Sequence, residues 1–264
     1  MRKPTADTTL QRDREITEAV VKMMGKVPDA RMREIMVALI RHLHDFARDV
    51  NLSMDELLYA ADFLTRCGKI SDAGRHEFFI LADTLGLTMV VDALGNPKPE
   101  GAFESSVLGP FYRDGAPDIA RDDNLSHRAE DGTPAHVSGR VTDLEGRPIA
   151  GALLDIWQST DDGKYENVDS RQPDMNLRGR LRTDERGEYA FWTVKPGSYP
   201  VPDDGPAGEL LRACNRLSFR PAHIHFRISA PGFETVTSEL YTADDPYIES
   251  DAVWGVKESL KVRY

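Results

Sequence analysis

The residues of this chain best suited to chemistry are His223 and His225, one residue apart in Arg220-Pro221-Ala222-His223-Ile224-His225-Phe226-Arg227-Ile228. In an extended strand, side chains at i and i+2 leave the same face, so both imidazoles point one way and can share a metal ion. The surroundings are extended: Ile224, Phe226 and Ile228 are β-formers, bracketed by Pro221 and the Pro231-Gly232 turn. Two half-exposed strand histidines are the plainer alternative. His42-Leu43-His44 supplies an internal contrast. There the same spacing falls in a helical pattern, where i and i+2 diverge by about 200°, so that pair cannot form one site.

Two histidines leave a metal site incomplete. Cys67 and Cys214 are too few and too isolated for a disulfide framework or a thiolate cluster, so any metal is held by nitrogen and oxygen, with Asp, Glu or Tyr completing the set. Two tyrosines stand in polar company. Tyr165 lies in Asp161-Asp162-Gly163-Lys164-Tyr165-Glu166-Asn167 and Tyr199 in Pro196-Gly197-Ser198-Tyr199-Pro200, whereas Tyr189 sits in an alternating strand as a core tyrosine does. For either loop tyrosine alone, a half-buried ring with a satisfied hydroxyl is the plainer reading.

The elements that must position these residues change character along the chain. Residues 10 to 94 read as helices. Met32, Ile35, Met36, Leu39, Ile40, Leu43, Phe46, Ala47 and Val50 form one apolar stripe, which serves either an internal core or a dimer seam. Ser53-Met54-Asp55-Glu56 has the form of a capping box, and the helix after it should stop near Gly68. A further helix is expected from about Asp72 to Leu94, with Phe78, Leu81, Leu85 and Met89 facing the core. From Asn96 to Thr133 the composition shifts to Pro, Gly and Asp, as in a functional loop. Thereafter the period is two. Strands are expected around 136–142, 152–157, 181–183, 189–193, 235–241 and 259–264, with turns at Asp143-Leu144-Glu145-Gly146 and Asp184-Glu185-Arg186-Gly187. The expected fold class is α+β: an N-terminal helical dimerisation or lid domain (1–96), a linker and pocket-rim loop (97–133), and a mainly antiparallel β-sandwich catalytic domain (134–264).

Composition narrows the function. Lys and Arg number 33 against 44 Asp and Glu, a net charge of −11, which argues against nucleic acid or an anionic membrane as the main partner. No apolar run reaches membrane-spanning length and the start lacks the apolar core of a signal peptide, so a cytoplasmic protein is expected.

Taken in order, several motifs resemble those of the intradiol ring-cleaving dioxygenases, non-haem ferric enzymes that split catechols between the two hydroxylated carbons. They are Leu108-Gly109-Pro110-Phe111-Tyr112, Gly139-Arg140-Val141, Asp155-Ile156-Trp157-Gln158, Tyr165, Pro196-Gly197-Ser198-Tyr199-Pro200-Val201-Pro202 and Arg220-Pro221-Ala222-His223-Ile224-His225-Phe226. The resemblance implies an Fe(3+) cofactor bound by Tyr165 and His223 in equatorial and Tyr199 and His225 in axial positions. It implies that Tyr199 takes a proton from the incoming catechol and that Arg220 stabilises negative charge building on the ring. Such a ligand set suits the hard ferric ion, because two phenolates and a hydroxide balance its charge, whereas two histidines and a carboxylate would suit ferrous iron.

By the same resemblance the substrate pocket involves Ile80, Asp83, Val107, Leu108, Gly109, Pro110, Phe111, Pro202 and Val253. Asp83 and Val253 look most like the members acting on hydroxyquinol (benzene-1,2,4-triol). A carboxylate can accept a hydrogen bond from the third hydroxyl, and valine leaves room for it. The expected reaction joins hydroxyquinol and O2 to give 3-hydroxy-cis,cis-muconate, or maleylacetate. The alternatives are a catechol or substituted-catechol 1,2-dioxygenase and, from a different class, a non-catalytic β-sandwich binding module; a zinc hydrolase is a weaker option, since zinc rarely recruits two tyrosines. The resemblance also implies a homodimer through the N-terminal helices, with a phospholipid at the seam. One position departs. Glu239 stands where many catechol-type members carry glutamine near the metal, so either it points away from iron or the surroundings of the site are tuned differently.

Overall fold

The computed structural model describes residues 6–72, 74–128 and 132–263. Its contacts separate into two compact units, one up to Thr65 and one from Arg66 onward. In the first, α1 (Ala6–Met24) packs on α2 (Ala30–Asp49). Asp29 caps α2, its carboxylate accepting from Met32 N at 2.6 Å. His44 Nδ1 lies 2.9 Å from Thr17 Oγ1 while His42 is exposed, so this pair diverges as helical geometry requires. The third helix, α3 (Met54–Ile70), opens on the expected capping box. Glu56 Oε2 accepts from Ser53 N at 2.8 Å, and Ser53 Oγ accepts from Glu56 N at 3.3 Å. It passes through Gly68 and ends two residues later, where the Ser71 hydroxyl donates to Cys67 O at 2.8 Å and satisfies a terminal carbonyl.

The helix expected over 72–94 is two helices, α4 (Glu77–Thr84) and α5 (Leu87–Gly95), bent by 81°. The break is at Gly86, whose φ of 74° is left-handed, and a Cβ there would meet Trp254 Cδ1 at 3.3 Å. The bend changes which faces are covered. Phe78 and Leu85, expected in the core, are exposed, and only Leu81 and Met89 are half-buried. The buried Glu77 carboxylate ties α4 to α6 (Pro206–Ala213) by accepting from Ala207 N at 3.0 Å.

Mainly antiparallel sheets follow. β1 (Pro134–Arg140) pairs with β4 (Glu188–Val194). A five-stranded sheet has the order β3 (Arg178–Arg182), β2 (Leu153–Gln158), β7 (His223–Ser229), β8 (Val236–Thr242), β9 (Lys261–Val262), and only the β8–β9 pair is parallel. The short β5 (Tyr199–Pro200) and β6 (Phe219–Arg220) form a third pair. The strand expected over 259–264 is a 3-10 turn, Glu258–Leu260, followed by β9; Tyr264 lies outside the described residues, as do Met1 to Thr5 at the start.

Leu154 and Ile156 of β2, Ile224 and Phe226 of β7, Leu181 of β3, and Phe191 and Val194 of β4 make the core between the sheets. Each contributes roughly 1.5–3 kcal/mol by leaving water. Because strand side chains alternate, burying Ile224 and Phe226 turns His223 and His225 to the opposite face, and a one-residue slip would exchange the two sets.

Candidate metal centre

Cross-strand register assembles the site. His225 of β7 lies beside Trp157 of β2 on one side and Glu239 of β8 on the other, while His223 lies beside Tyr241. Across the β5–β6 pair, Tyr199 lies beside Arg220. Tyr165 comes from the loop after β2. That loop closes against the Tyr199 segment where Thr160 O accepts from Gly197 N at 2.9 Å, and Gly163, with φ 77°, approaches so closely that a Cβ would stand 2.4 Å from Ser198 O. Behind Tyr165, the buried Glu166 is held by Arg178 at 2.7 Å and Arg113 at 2.6 Å. Trp157, Tyr165 and Tyr199 form a buried aromatic cluster flanked by Phe111 and Tyr112.

The four expected ligands converge. The Nε2 atoms of His223 and His225 are 3.2 Å apart, and Tyr199 Oη is 3.3 Å from His223 Nε2. The Tyr165 ring stands edge-on to Tyr199 with centroids 5.4 Å apart, and its fully buried hydroxyl has no hydrogen-bond partner among the described residues. His223 Nδ1 donates to Pro221 O at 2.7 Å, which fixes the tautomer and leaves the Nε2 lone pair directed inward. Trp157 stacks on His225 at 4.6 Å and 8° and holds its ring plane.

Burial sets the protonation states. It pushes the pKa of both imidazoles down, that of His225 strongly, so their lone pairs are free. It pushes the phenols of Tyr165 and Tyr199 up, so only a cation brought among them makes them phenolates near neutral pH. The two Nε2 lone pairs face one another beside a Tyr165 phenol that has no hydrogen-bond partner among the described residues, an arrangement that a positive ion between them stabilises. The donor set is hard oxygen plus imidazole, which fits ferric iron.

His223, His225 and Glu239 also form a carboxylate-containing group with ligand atoms within 4.8 Å of one another. Glu239 is a poor ligand, however, because its oxygens are committed elsewhere: to Arg220 Nη1 and Nη2 at 2.8 and 2.9 Å, to Ser106 Oγ at 2.8 Å, and to the Tyr241 hydroxyl. It faces His225 through Nδ1, at 3.3 Å, and not through the Nε2 that faces His223.

The surrounding residues divide into two groups. Phe111 stacks on Tyr165 at 4.4 Å, and the backbone of Gly109 passes His225, where a Cβ would lie 3.3 Å from Cε1. Asp83 on α4 is half-buried and interacts electrostatically with Arg220, Glu239 and Asp251; burial raises its pKa, against a 2.5 Å hydrogen bond from Thr88. The amide of the buried Val253 donates to Asp251 Oδ1 at 3.2 Å, and Asp251 in turn accepts from Arg220 Nε at 3.3 Å. Ile80 and Val107 are half-buried, and Leu108, Pro110 and Pro202 are exposed. The 970 Å³ cleft lined by Tyr189, Phe226 and Ile228 belongs to the other face of β7, away from the histidines.

Sequence reasoning passed over Tyr241, Asp251, Ser106 and the stacking of Trp157. Only the registers across β7 expose the first and last, and the loop residues carry no local signal.

The chain is similar to known proteins along most of its length. Residues 29–103 match the family described as catechol dioxygenase N terminus and residues 107–264 the family described as dioxygenase. The chain is 45% identical to a 6-chlorohydroxyquinol 1,2-dioxygenase of Cupriavidus pinatubonensis, over 93% of this chain and 88% of that one. It is 43% identical to a hydroxyquinol 1,2-dioxygenase of a Rhizobium species (98% and 88%) and 39% identical to a catechol 1,2-dioxygenase of Candida albicans (94% and 83%). Its structure superposes on the hydroxyquinol 1,2-dioxygenase of Pseudomonas putida with a TM-score of 0.94 at 45% identity, covering 96% of this chain and 88% of that one. A buried tyrosine–histidine cluster on such a scaffold, with relatives of one chemistry along nearly the whole length, places the chain in the intradiol ring-cleavage dioxygenase family, a family of oxidoreductases that open catechol-type rings with O2.

Proposed function

We propose that Tyr165, Tyr199, His223 and His225 hold one Fe(3+) and that the substrate is hydroxyquinol, cleaved with O2 between its adjacent hydroxylated carbons to 3-hydroxy-cis,cis-muconate, the enol form of maleylacetate. The observation that carries this reading is the convergence on His223 Nε2 of His225 Nε2 at 3.2 Å and Tyr199 Oη at 3.3 Å, beside the Tyr165 hydroxyl, which has no partner among the described residues. When bound, ferric iron supplies a hard Lewis acid that acidifies phenolic oxygens and draws electron density from the ring. Tyr199 Oη, at the inner edge of the pocket, accepts one proton from the incoming diol. Arg220, whose Nη1 reaches 3.2 Å from His223 Nε2, stabilises negative charge that builds on the ring. Phe111 covers Tyr165 and keeps water from it. Asp83 accepts from the third hydroxyl, and the small Val253 leaves space for it.

Hydroxyquinol is preferred to catechol as substrate because of Asp83 and the hydroxyquinol-type relatives above 40% identity. The test is direct. Purified protein is expected to hold about one iron per chain with a tyrosinate-to-iron charge-transfer band in the visible, and to take up oxygen faster with hydroxyquinol than with catechol. A colourless preparation that stays inactive when iron is supplied overturns the assignment; faster uptake with catechol overturns the substrate alone.

The same reading extends to assembly and location. Met32, Ile35, Leu39, Leu43 and Phe46 of α2 and its C-cap Val50 are all exposed at three- and four-residue spacing, the pattern of a helix-to-helix seam. This supports a homodimer through the N-terminal helices, with a phospholipid accommodated along the apolar seam. No single described helix is long and apolar enough to cross a membrane, and a cytoplasmic enzyme is proposed.

A further inference from the structure

Every donor of Arg220 is assigned. A guanidinium carries five N–H groups. Nε donates to Asp251 Oδ1 at 3.3 Å, and Nη1 and Nη2 fork onto the two oxygens of Glu239 at 2.8 and 2.9 Å. The second Nη2 hydrogen goes to Tyr241 Oη at 2.9 Å, which leaves one on Nη1, aimed at His223 Nε2 at 3.2 Å. Both side chains are buried, Glu239 completely. The carboxylate is fixed from its other sides by Ser106 Oγ at 2.8 Å and by the Tyr241 hydroxyl, and its Oε1 lies 3.3 Å from His225 Nδ1 outside hydrogen-bond geometry.

We propose that Glu239 is a positioning residue that clamps Arg220 with a single N–H turned towards the metal site and offsets its positive charge there, favouring the ferric over the ferrous state. This rests on the reading that the tyrosine–histidine cluster holds ferric iron. A less fully offset guanidinium in this dry pocket would penalise the more highly charged ion, since Coulomb interactions are poorly screened there. Two buried carboxylates face it, Asp251 at Nε and Glu239 forked on Nη1 and Nη2, and removing the charge of Glu239 leaves one counter-charge in place of two. Both oxygens of Glu239 accept from the guanidinium, the paired arrangement of an ionised carboxylate on an arginine. Glutamine cannot replace this function, because its amide group presents one acceptor and a donor to a guanidinium that needs two acceptors.

The experiment compares the iron-loaded full chain with its Glu239→Gln and Glu239→Asp variants. The readouts are iron content, the Fe(III)/Fe(II) potential by spectroelectrochemistry, and kcat and KM for hydroxyquinol. Glu239→Gln is expected to shift the ferric-to-ferrous preference about tenfold towards ferrous, a rise of about 59 mV for this one-electron couple. Glu239→Asp keeps the charge but withdraws the fork, so its potential stays at the wild-type value while kcat falls about tenfold with KM little changed. An iron-loaded Glu239→Gln protein with the wild-type potential overturns the charge role, and wild-type kcat in Glu239→Asp overturns the clamp. Should Glu239→Gln fail to fold or load, Glu239→Asp carries the test: an altered potential or an unaltered kcat defeats the inference. Wild-type protein that binds no iron defeats the ferric reading itself, and is told apart because it is seen before any variant is made.

Discussion

In the proposed reading, Asp83 and Val253 decide which ring is accepted. Asp83 is half-buried, and its carboxylate accepts from Thr88 Oγ1 and keeps acceptor capacity in hand. Asp83→Asn is expected to lower kcat/KM for hydroxyquinol by about 10- to 100-fold and to change catechol turnover little, because a buried group built to pair with a hydroxyl discriminates strongly. Val253→Phe should act in the same direction by filling the space beside it. Steady-state kinetics on both substrates check this, and equal losses on the two would sink the assignment of Asp83 to the third hydroxyl.

At the level of elements, two features carry predictions. The turn between α4 and α5 depends on a left-handed residue at Gly86 packed against Trp254, whose Nε1 donates to Thr84 O at 3.0 Å. Gly86→Ala is expected to destabilise by about 1–2 kcal/mol, the cost of a left-handed non-glycine residue, read as a lowered denaturation midpoint. Stabilisation instead, as a continuous helix would show, would contradict the break. In the β1–β4 pair, Tyr189 lies across from Gly139 and burial raises its phenol to about 12 from the ordinary 10. The unfolded chain releases this proton first. Stability is therefore fully present below pH 10 and falls as the pH rises from about 10 to about 12, because the unfolded state binds fewer protons over that range. Urea denaturation across that range should show the decline, and Tyr189→Phe should remove its share of the slope while leaving neutral-pH behaviour close to wild type.

For the molecule as a whole, the exposed stripe on α2 predicts association. Light scattering is expected to give twice the 29.5 kDa chain mass, and Leu39→Glu with Leu43→Glu to shift the protein to monomers, since a charge placed in an apolar seam loses its hydration without a partner. A monomer in the unsubstituted protein would overturn the homodimer and, with it, the lipid channel.

Local letters determined the chemistry-bearing residues and the elements around them: the period-two pattern turns His223 and His225 to one face, and the capping box of α3 is read directly from Ser53 and Glu56. The same letters could not locate the bend at Gly86, because Trp254 packs on that turn from outside the helical pattern. Nor could they decide the fate of Glu239. Whether that carboxylate meets the metal or Arg220 depends on which strand lies beside β7 and in what register, and on a loop from Ser106 reaching the same spot. Pairing between strands far apart in sequence is set by the burial of a shared core, so the surroundings of the centre exist only once the tertiary structure has formed.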